Sequence, residues 1–212
     1  MPTKFDKAFA YHQKGLLTEA KEIYLDILKT HPENFQALHL LGVIAEQTKN
    51  SQLAIELIGK AIEVNPGSAE AHYNLGNALG ALAKRVEAIS SYKRAVQLKP
   101  DYFEAYNNLG NTFNQLGKFK EAVPCFTQAI QLKPDYFNAY YNLANAFREL
   151  GKYEKAITCY TQTIKLDPGY IAAHYNLGNT LQEMAKYDEA IASYNQAIKL
   201  RPDYNEAHNN VG

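Results

Sequence analysis

The sequence predicts an all-α chain, a solenoid of helical hairpins stacked in series. Three observations carry this: a 34-residue stretch that repeats without a gap, a proline at the same place in every repeat, and apolar residues at helical spacing inside each one. The stretch 103–136, FEAYNNLGNTFNQLGKFKEAVPCFTQAIQLKPDY, returns 34 residues later as FNAYYNLANAFRELGKYEKAITCYTQTIKLDPGY. It stands 34 residues earlier as AEAHYNLGNALGALAKRVEAISSYKRAVQLKPDY. A unit this short cannot bury a core alone, so its stability must come from interfaces with its neighbours.

Six full units fit the chain, 1–34, 35–68, 69–102, 103–136, 137–170 and 171–204, and a seventh begins at 205 and stops at 212. The 212 residues are therefore read as a single array. Pro32, Pro66, Pro100, Pro134, Pro168 and Pro202 close the units, because proline cannot continue a helical ladder and restricts the residue before it.

Inside the third unit, Ala71, Leu75, Ala78, Leu79 and Leu82 form one helical stripe. A break follows at Ala83-Lys84, and Ala88, Ile89, Tyr92, Ala95, Val96 and Leu98 form a second stripe. Gly117 and Gly151 hold the same turn in the next two units, where a C-terminal glycine takes positive φ. Small residues recur where the helices must approach. They are Gly42, Gly76, Gly110, Ala144 and Gly178 on first helices, and Ala20, Ala54, Ala88, Ala122, Ala156 and Ala190 on second helices. Pro124 falls early in its helix and predicts at most a slight kink.

The pattern Tyr106-x2-Leu109-Gly110-x2-Phe113, then Ala122-x3-Phe126, then Pro134, resembles the tetratricopeptide repeat across essentially the whole chain. The resemblance implies a right-handed superhelical solenoid whose first helices line a concave groove. The family's tryptophan is absent, and His72, Tyr106, Tyr140, His174 or Leu38 takes its place. Packed imidazoles are the reading for His72, His174 and His208. The pentatricopeptide RNA readers have a different signature.

Composition narrows function. Lys plus Arg and Asp plus Glu are 22 each, so the formal net charge is zero, which argues against a nucleic-acid partner. No apolar run approaches a membrane span, so no membrane partner is expected. The N-terminal stretch lacks a signal core, and the chain reads as cytoplasmic. Cys125 and Cys159 lie one period apart. Equivalent atoms of successive units are separated by an intervening helix, with packed axes about 8–10 Å apart. A disulfide needs Cα atoms within about 7 Å, so both thiols are expected to be free. No catalytic constellation, metal site or cofactor site stands out. There is no HExxH, no phosphate-binding glycine loop and no nucleophile elbow, and the six histidines are scattered.

The candidate site is the first-helix stripe opposite the buried one. Asn74, Asn108, Asn142 and Asn176 form one row, continued by Asn210, and Asn77, Asn111, Asn145 and Asn179 form a second. Tyr73, Tyr141, Tyr175 and Arg148 share the face, with Asn107 at the tyrosine place of the fourth unit. An amide offers both donor and acceptor, which suits an extended polypeptide whose backbone alternates the same groups. Ligand contact is the reading for the first row. For the second row, a role in holding neighbouring units in register by bonding backbone groups remains open. The chaperone-binding members of the family grip a carboxylate with lysines and arginines, and here only Arg148 is basic, so an acidic tail is not the expected partner. The ladder with its NLGN and NLAN segments is similar to the tetratricopeptide arm of O-GlcNAc-transferase-type glycosyltransferases. Two functions are thus carried forward: a non-catalytic peptide-binding scaffold, and the substrate-recruiting arm of such an enzyme.

The ends differ. Lys4, Lys7 and Lys14 stand where later units carry apolar residues, and they read as a polar cap. The last stretch, NEAHNNVG, reads as the start of another first helix, and the parent protein is expected to continue. On this reading Ala190, Ile191, Tyr194, Ala197, Ile198 and Leu200 stand partly open, and weak tail-to-tail self-association through the C-terminal end is expected.

Overall fold

A computed structural model describes residues 3–211 of the chain. Every described element is a helix. The helices are α1 Lys4–Gln13, α2 Leu17–Thr30, α3 Phe35–Gln47, α4 Ser51–Val64, α5 Ala69–Ala81, α6 Arg85–Leu98, α7 Phe103–Gln115, α8 Phe119–Leu132, α9 Phe137–Glu149, α10 Tyr153–Leu166, α11 Ile171–Glu183, α12 Tyr187–Leu200 and α13 Asn205–Val211. Each expected unit holds one pair. The chain gathers into two compact units, Met1–Ala105 and Tyr106–Gly212.

Helix ends follow local chemistry. In the first unit, Thr3 and Asp6 form a reciprocal capping box at α1. Asn34, Asn50 and Ser68 accept from the backbone N–H groups of Ala37, Leu53 and Ala71 at the starts of α3, α4 and α5. Each second helix ends two residues before its proline, leaving one non-helical residue between them. The stopping residues, His31, Asn65, Lys99, Lys133, Asp167 and Arg201, share φ between −133 and −138°. Proline imposes that extended geometry on its predecessor.

Between the two helices of a hairpin the chain turns through one left-handed residue. Gly15, Gly117 and Gly151 take φ of 75, 69 and 67° there. Lys49, Ala83 and Ala185 are held in the same conformation at 60, 57 and 57° without being glycine. The break expected at Ala83-Lys84 is therefore this same turn.

The small first-helix residues are required by contact. A Cβ at Gly76, Gly110 or Gly178 would come within 2.5–2.7 Å of the Tyr92, Phe126 or Tyr194 ring, and at Gly42 within 2.5 Å of the Ile58 side chain. In the fifth repeat Ala144 takes this place with Tyr160 at the matching second-helix position, both fully buried. The second-helix alanines from Ala20 to Ala190 are buried throughout. Pro124 lies inside α8, which continues past it.

The inter-repeat turns are fastened by rings. Tyr102 packs on Tyr73 with centroids 4.8 Å apart, Tyr170 on Tyr141 at 5.0 Å and Tyr204 on Tyr175 at 5.0 Å. His72, His174 and His208 each direct Nε2 to the carbonyl of the preceding turn's proline, Pro66, Pro168 or Pro202, at 3.1, 3.0 and 2.9 Å. A carbonyl only accepts, so each ring donates there, and these imidazoles are architectural. Both cysteines are free thiols. Burial pushes the Cys159 thiol up to about 11, which leaves it protonated and unreactive.

The C-terminal face is more closed than its sequence suggests. Although α13 has only 7 residues, it is a helix whose Ala207 is fully buried with Tyr194, Ala197 and Leu181, and Val211 packs against them. Packing supplies what so short a helix lacks in isolation. Ala190, Tyr194 and Ala197 are consequently buried, and of the six residues expected to be open only Ile191 and Leu200 are exposed. At the other end Lys4 pairs with Asp26 at 2.6 Å, and Lys7 lies 5.7 Å from the Tyr11 ring centre.

Candidate peptide-binding site

Each asparagine row makes a different set of bonds. In the second row the partner comes from the same hairpin. Tyr92 Oη donates to Asn77 Oδ1 at 2.8 Å in the first unit. In the second unit Tyr160 donates to Asn145 at 2.6 Å, and Tyr194 to Asn179 at 2.8 Å. The second row thus ties the two helices of one hairpin together through tyrosine hydroxyls, and Asn145 and Asn179 also accept from Asn176 and Asn210 of the following repeats, at 3.4 and 3.1 Å. In the fourth repeat the ring is Phe126, which has no hydroxyl, and Asn111 is exposed.

The first row reaches backwards, from one first helix to the one before it. Asn74 Nδ2 donates to His39 Nε2 at 2.9 Å in the first unit. In the second unit Asn142 Nδ2 donates to Asn107 Oδ1 at 3.1 Å, and Asn176 Nδ2 to Tyr141 Oη at 2.9 Å. Each acceptor lies 35 residues before its donor. Asn210 Nδ2 also reaches back, to Asn179 Oδ1 at 3.1 Å. In the fourth repeat Asn107 Nδ2 donates to Asn108 Oδ1 at 3.3 Å. An amide holds two N–H groups and an oxygen with two lone pairs, so one anchoring bond leaves most of its capacity for a ligand. Asn74, Asn142 and Asn176 are half-buried, as a side chain shared between scaffold and ligand would be.

Three acceptors of this row, His39, Asn107 and Tyr141, hold the tyrosine place of their repeats. Tyr73, Tyr141 and Tyr175 each pack between a second-helix tyrosine, 5.8–6.0 Å away, and the turn tyrosine already described. They are half-buried members of three-ring clusters. Asn107 replaces the ring in the fourth repeat and is 5 % exposed, so it contributes a bond to Asn142 rather than a surface. Arg148 Nη2 bonds Glu149 Oε1 at 3.2 Å. His39 must present a bare Nε2 to Asn74, and burial lowers its pKa with Glu70 opposing, which keeps the ring neutral.

Part of the face escapes the sequence reading. In the first unit Phe5 and Phe9 stack with centroids 6.2 Å apart, and Phe9 is 39 % exposed. Phe35 stacks on His39 at 5.6 Å. These rings, with Leu40 and Glu70, border a cleft of ≈ 430 Å³. Phe5 and Phe9 hold the repeat positions of Tyr73 and Asn77, a register visible in the sequence but overshadowed by the neighbouring lysines. Next along the same helices, Val43, Glu46, Gln47, Ile58, Asn74 and Asn77 line a second cleft of ≈ 200 Å³. Among the described residues no group of three or more His, Cys, Asp or Glu side chains is placed to hold a metal. No described helix is long and apolar enough to cross a membrane.

Hairpins of this length, closed by a proline turn and pinned by glycine–ring contacts, define the tetratricopeptide class. Family models described as TPR repeat match residues 86–117, 110–147 and 144–184, and models described as tetratricopeptide repeat match 171–204 and 5–62. The chain belongs to the tetratricopeptide repeat family. It is similar to human tetratricopeptide repeat protein 7A, 29% identical over 79 residues, which is 37% of this chain and 9% of that protein. The match thus spans under a tenth of the relative's length. Among solved structures, Pseudomonas aeruginosa PilF superposes with a TM-score of 0.83 at 21% identity, covering 97% of this chain and 94% of that one. YrrB, described as a TPR protein with an unusual peptide-binding site, gives 0.77 at 20% identity over 88% and 96%. The protein MamA gives 0.75 at 26% identity over 82% and 96%. The class these matches define is that of protein–protein interaction modules.

Proposed function

We propose that this chain is a non-catalytic module that holds extended polypeptide against the exposed face of its first helices, with the first asparagine row as the reading surface. The observation that carries the proposal is the anchoring of Asn74 and Asn142 by one bond each, and of Asn176 by two, to the preceding first helix. An anchored amide has already lost its rotamer freedom, so ordering it costs a ligand little. Its oxygen, and in Asn74 and Asn142 the second N–H, can meet a peptide's N–H and carbonyl groups. With about 1 kcal/mol net per bond and the ordering of a flexible chain opposing, affinity in the micromolar range is expected. Such a surface reads main chain and tolerates many sequences.

The test replaces Asn74, Asn108, Asn142 and Asn176 by alanine together. Binding of a random dodecapeptide library is then compared per folded molecule, with thermal stability measured alongside. Loss of both stability and affinity per folded molecule is expected. A fall in stability with unchanged affinity would assign the row to architecture alone. The unbroken amide row also favours a second reading, the substrate-recruiting arm of a larger O-GlcNAc-transferase-type glycosyltransferase. A glycosyltransferase domain elsewhere in the parent gene would select it, and a parent made of repeats alone would reject it.

A further inference from the structure

In the first unit the exposed face of the first helices differs from the amide ladder. It combines open aromatic surface at Phe5, Phe9 and Phe35 with a carboxylate, Glu46, whose Oε2 is buried and has no hydrogen-bond partner among the described residues. Glu46 lies in the cleft with Asn74 and Asn77. The other carboxylate on this face, Glu70, is already compensated by Lys99 at 3.3 Å. No described cation pairs with Glu46. A carboxylate oxygen withdrawn from water without a donor is costly, and a cation that enters the cleft removes that cost. The same repeat position in the second unit, Asn114, also has a buried oxygen without a partner, while its Nδ2 donates to the Asn142 carbonyl at 3.3 Å. Each compact unit thus holds an unsatisfied acceptor at this repeat position, open to a ligand's donor.

We infer that the first unit selects polypeptide segments that carry a large apolar side chain for the phenylalanine cleft and, about three residues away, a lysine or arginine for Glu46. The inference rests on the peptide-binding reading above and adds to it the chemistry of the preferred segment. The spacing follows from α3, which borders both clefts. His39 and Glu46 are seven residues apart on it, about 10 Å at 1.5 Å per residue. An extended peptide covers that distance in about three residues. Charge sets the sign of the preference, since an acidic segment would place like charge against Glu46.

The test selects dodecapeptides from a random displayed library on the whole chain, then measures affinity for an enriched peptide and for the same peptide with norleucine in place of its basic residue. Enrichment of lysine or arginine two to four residues from a large apolar residue is expected. Norleucine should weaken binding at least about tenfold, because a charge-assisted hydrogen bond is lost. Glu46→Gln should melt at or above the parent temperature, since it removes an unsatisfied charge, and should bind the lysine and norleucine peptides equally. Phe9→Ala should weaken both peptides alike. Binders without basic residues, or a Glu46→Gln chain that still prefers lysine, would overturn this inference and leave the peptide-binding reading standing. A selection that returns no binders would overturn both.

Discussion

Single residues decide how the second asparagine row is used. Tyr160 and Tyr194 have a hydroxyl acceptor because Asn145 and Asn179 stand 15 residues before them. Tyr24 occupies the same place in its hairpin, but Phe9 stands where the asparagine would be, and its buried Oη has no partner among the described residues. Burial alone pushes that phenol up to about 12. Removing a bonded hydroxyl costs about 1 kcal/mol, whereas removing an unsatisfied one relieves a penalty of similar size. Tyr160→Phe and Tyr194→Phe are therefore expected to lower the denaturation midpoint, and Tyr24→Phe to leave it unchanged or raise it. Equilibrium urea titrations of the three variants check the contrast. His39 supplies a pH dependence. Its folded pKa is lowered by burial, so the unfolded chain takes up the proton first as pH falls. Its contribution to stability is full above the unfolded value, about 6.5, and is lost as pH drops below it. Protonation also ends the Asn74 bond, because both partners would then be donors. Melting between pH 7.5 and 5 should show this loss, and His39→Gln, whose amide oxygen can still accept, should remove that part of the slope.

At the scale of the element, the hairpin turn and the proline turn were legible because their chemistry is local. A pre-proline residue has one comfortable conformation whatever surrounds it, and six of them here adopt it. The left-handed residue is only partly encoded: Gly15, Gly117 and Gly151 announce it, and Lys49, Ala83 and Ala185 do not. Tertiary packing forces those three into a region that costs a side chain about 1–2 kcal/mol. Lys49→Gly, Ala83→Gly and Ala185→Gly should each stabilise the chain by about 0.5–1 kcal/mol after the added freedom of the unfolded state is subtracted. Gly117→Ala should do the reverse. Thermal denaturation of the four variants gives the signs. The asparagine bonds were not legible in the same way, since they depend on which ring faces the amide from the second helix. The cue was nevertheless present: Asn77, Asn145 and Asn179 are matched by Tyr92, Tyr160 and Tyr194, while Asn111 meets Phe126 and Val43 meets Ile58. Reading residues in pairs 15 apart would have found the bond that reading them in rows did not.

At the scale of the molecule, the period set the hairpin pairing, and with the residue signature it set the family, because one mistake in register would have broken all six prolines at once. The aromatic clefts and Glu46 were hidden by that regularity. They sit in the first two repeats, where the consensus is weakest and the amide rows have not begun. The first-row bonds carry one more consequence. In the side-chain bonds that tie Asn74, Asn142, Asn176 and Asn210 to the first helix before them, the later amide donates and the earlier helix accepts. Within each compact unit the row is therefore a one-way sequence, like the teeth of a ratchet. The anchored amides of Asn142, Asn176 and Asn210 share that direction. A polypeptide laid along it from amino to carboxyl end and one laid in the opposite sense would meet those groups in different order. On the proposed function the face has a heading, and it favours one chain direction of a bound polypeptide over the other.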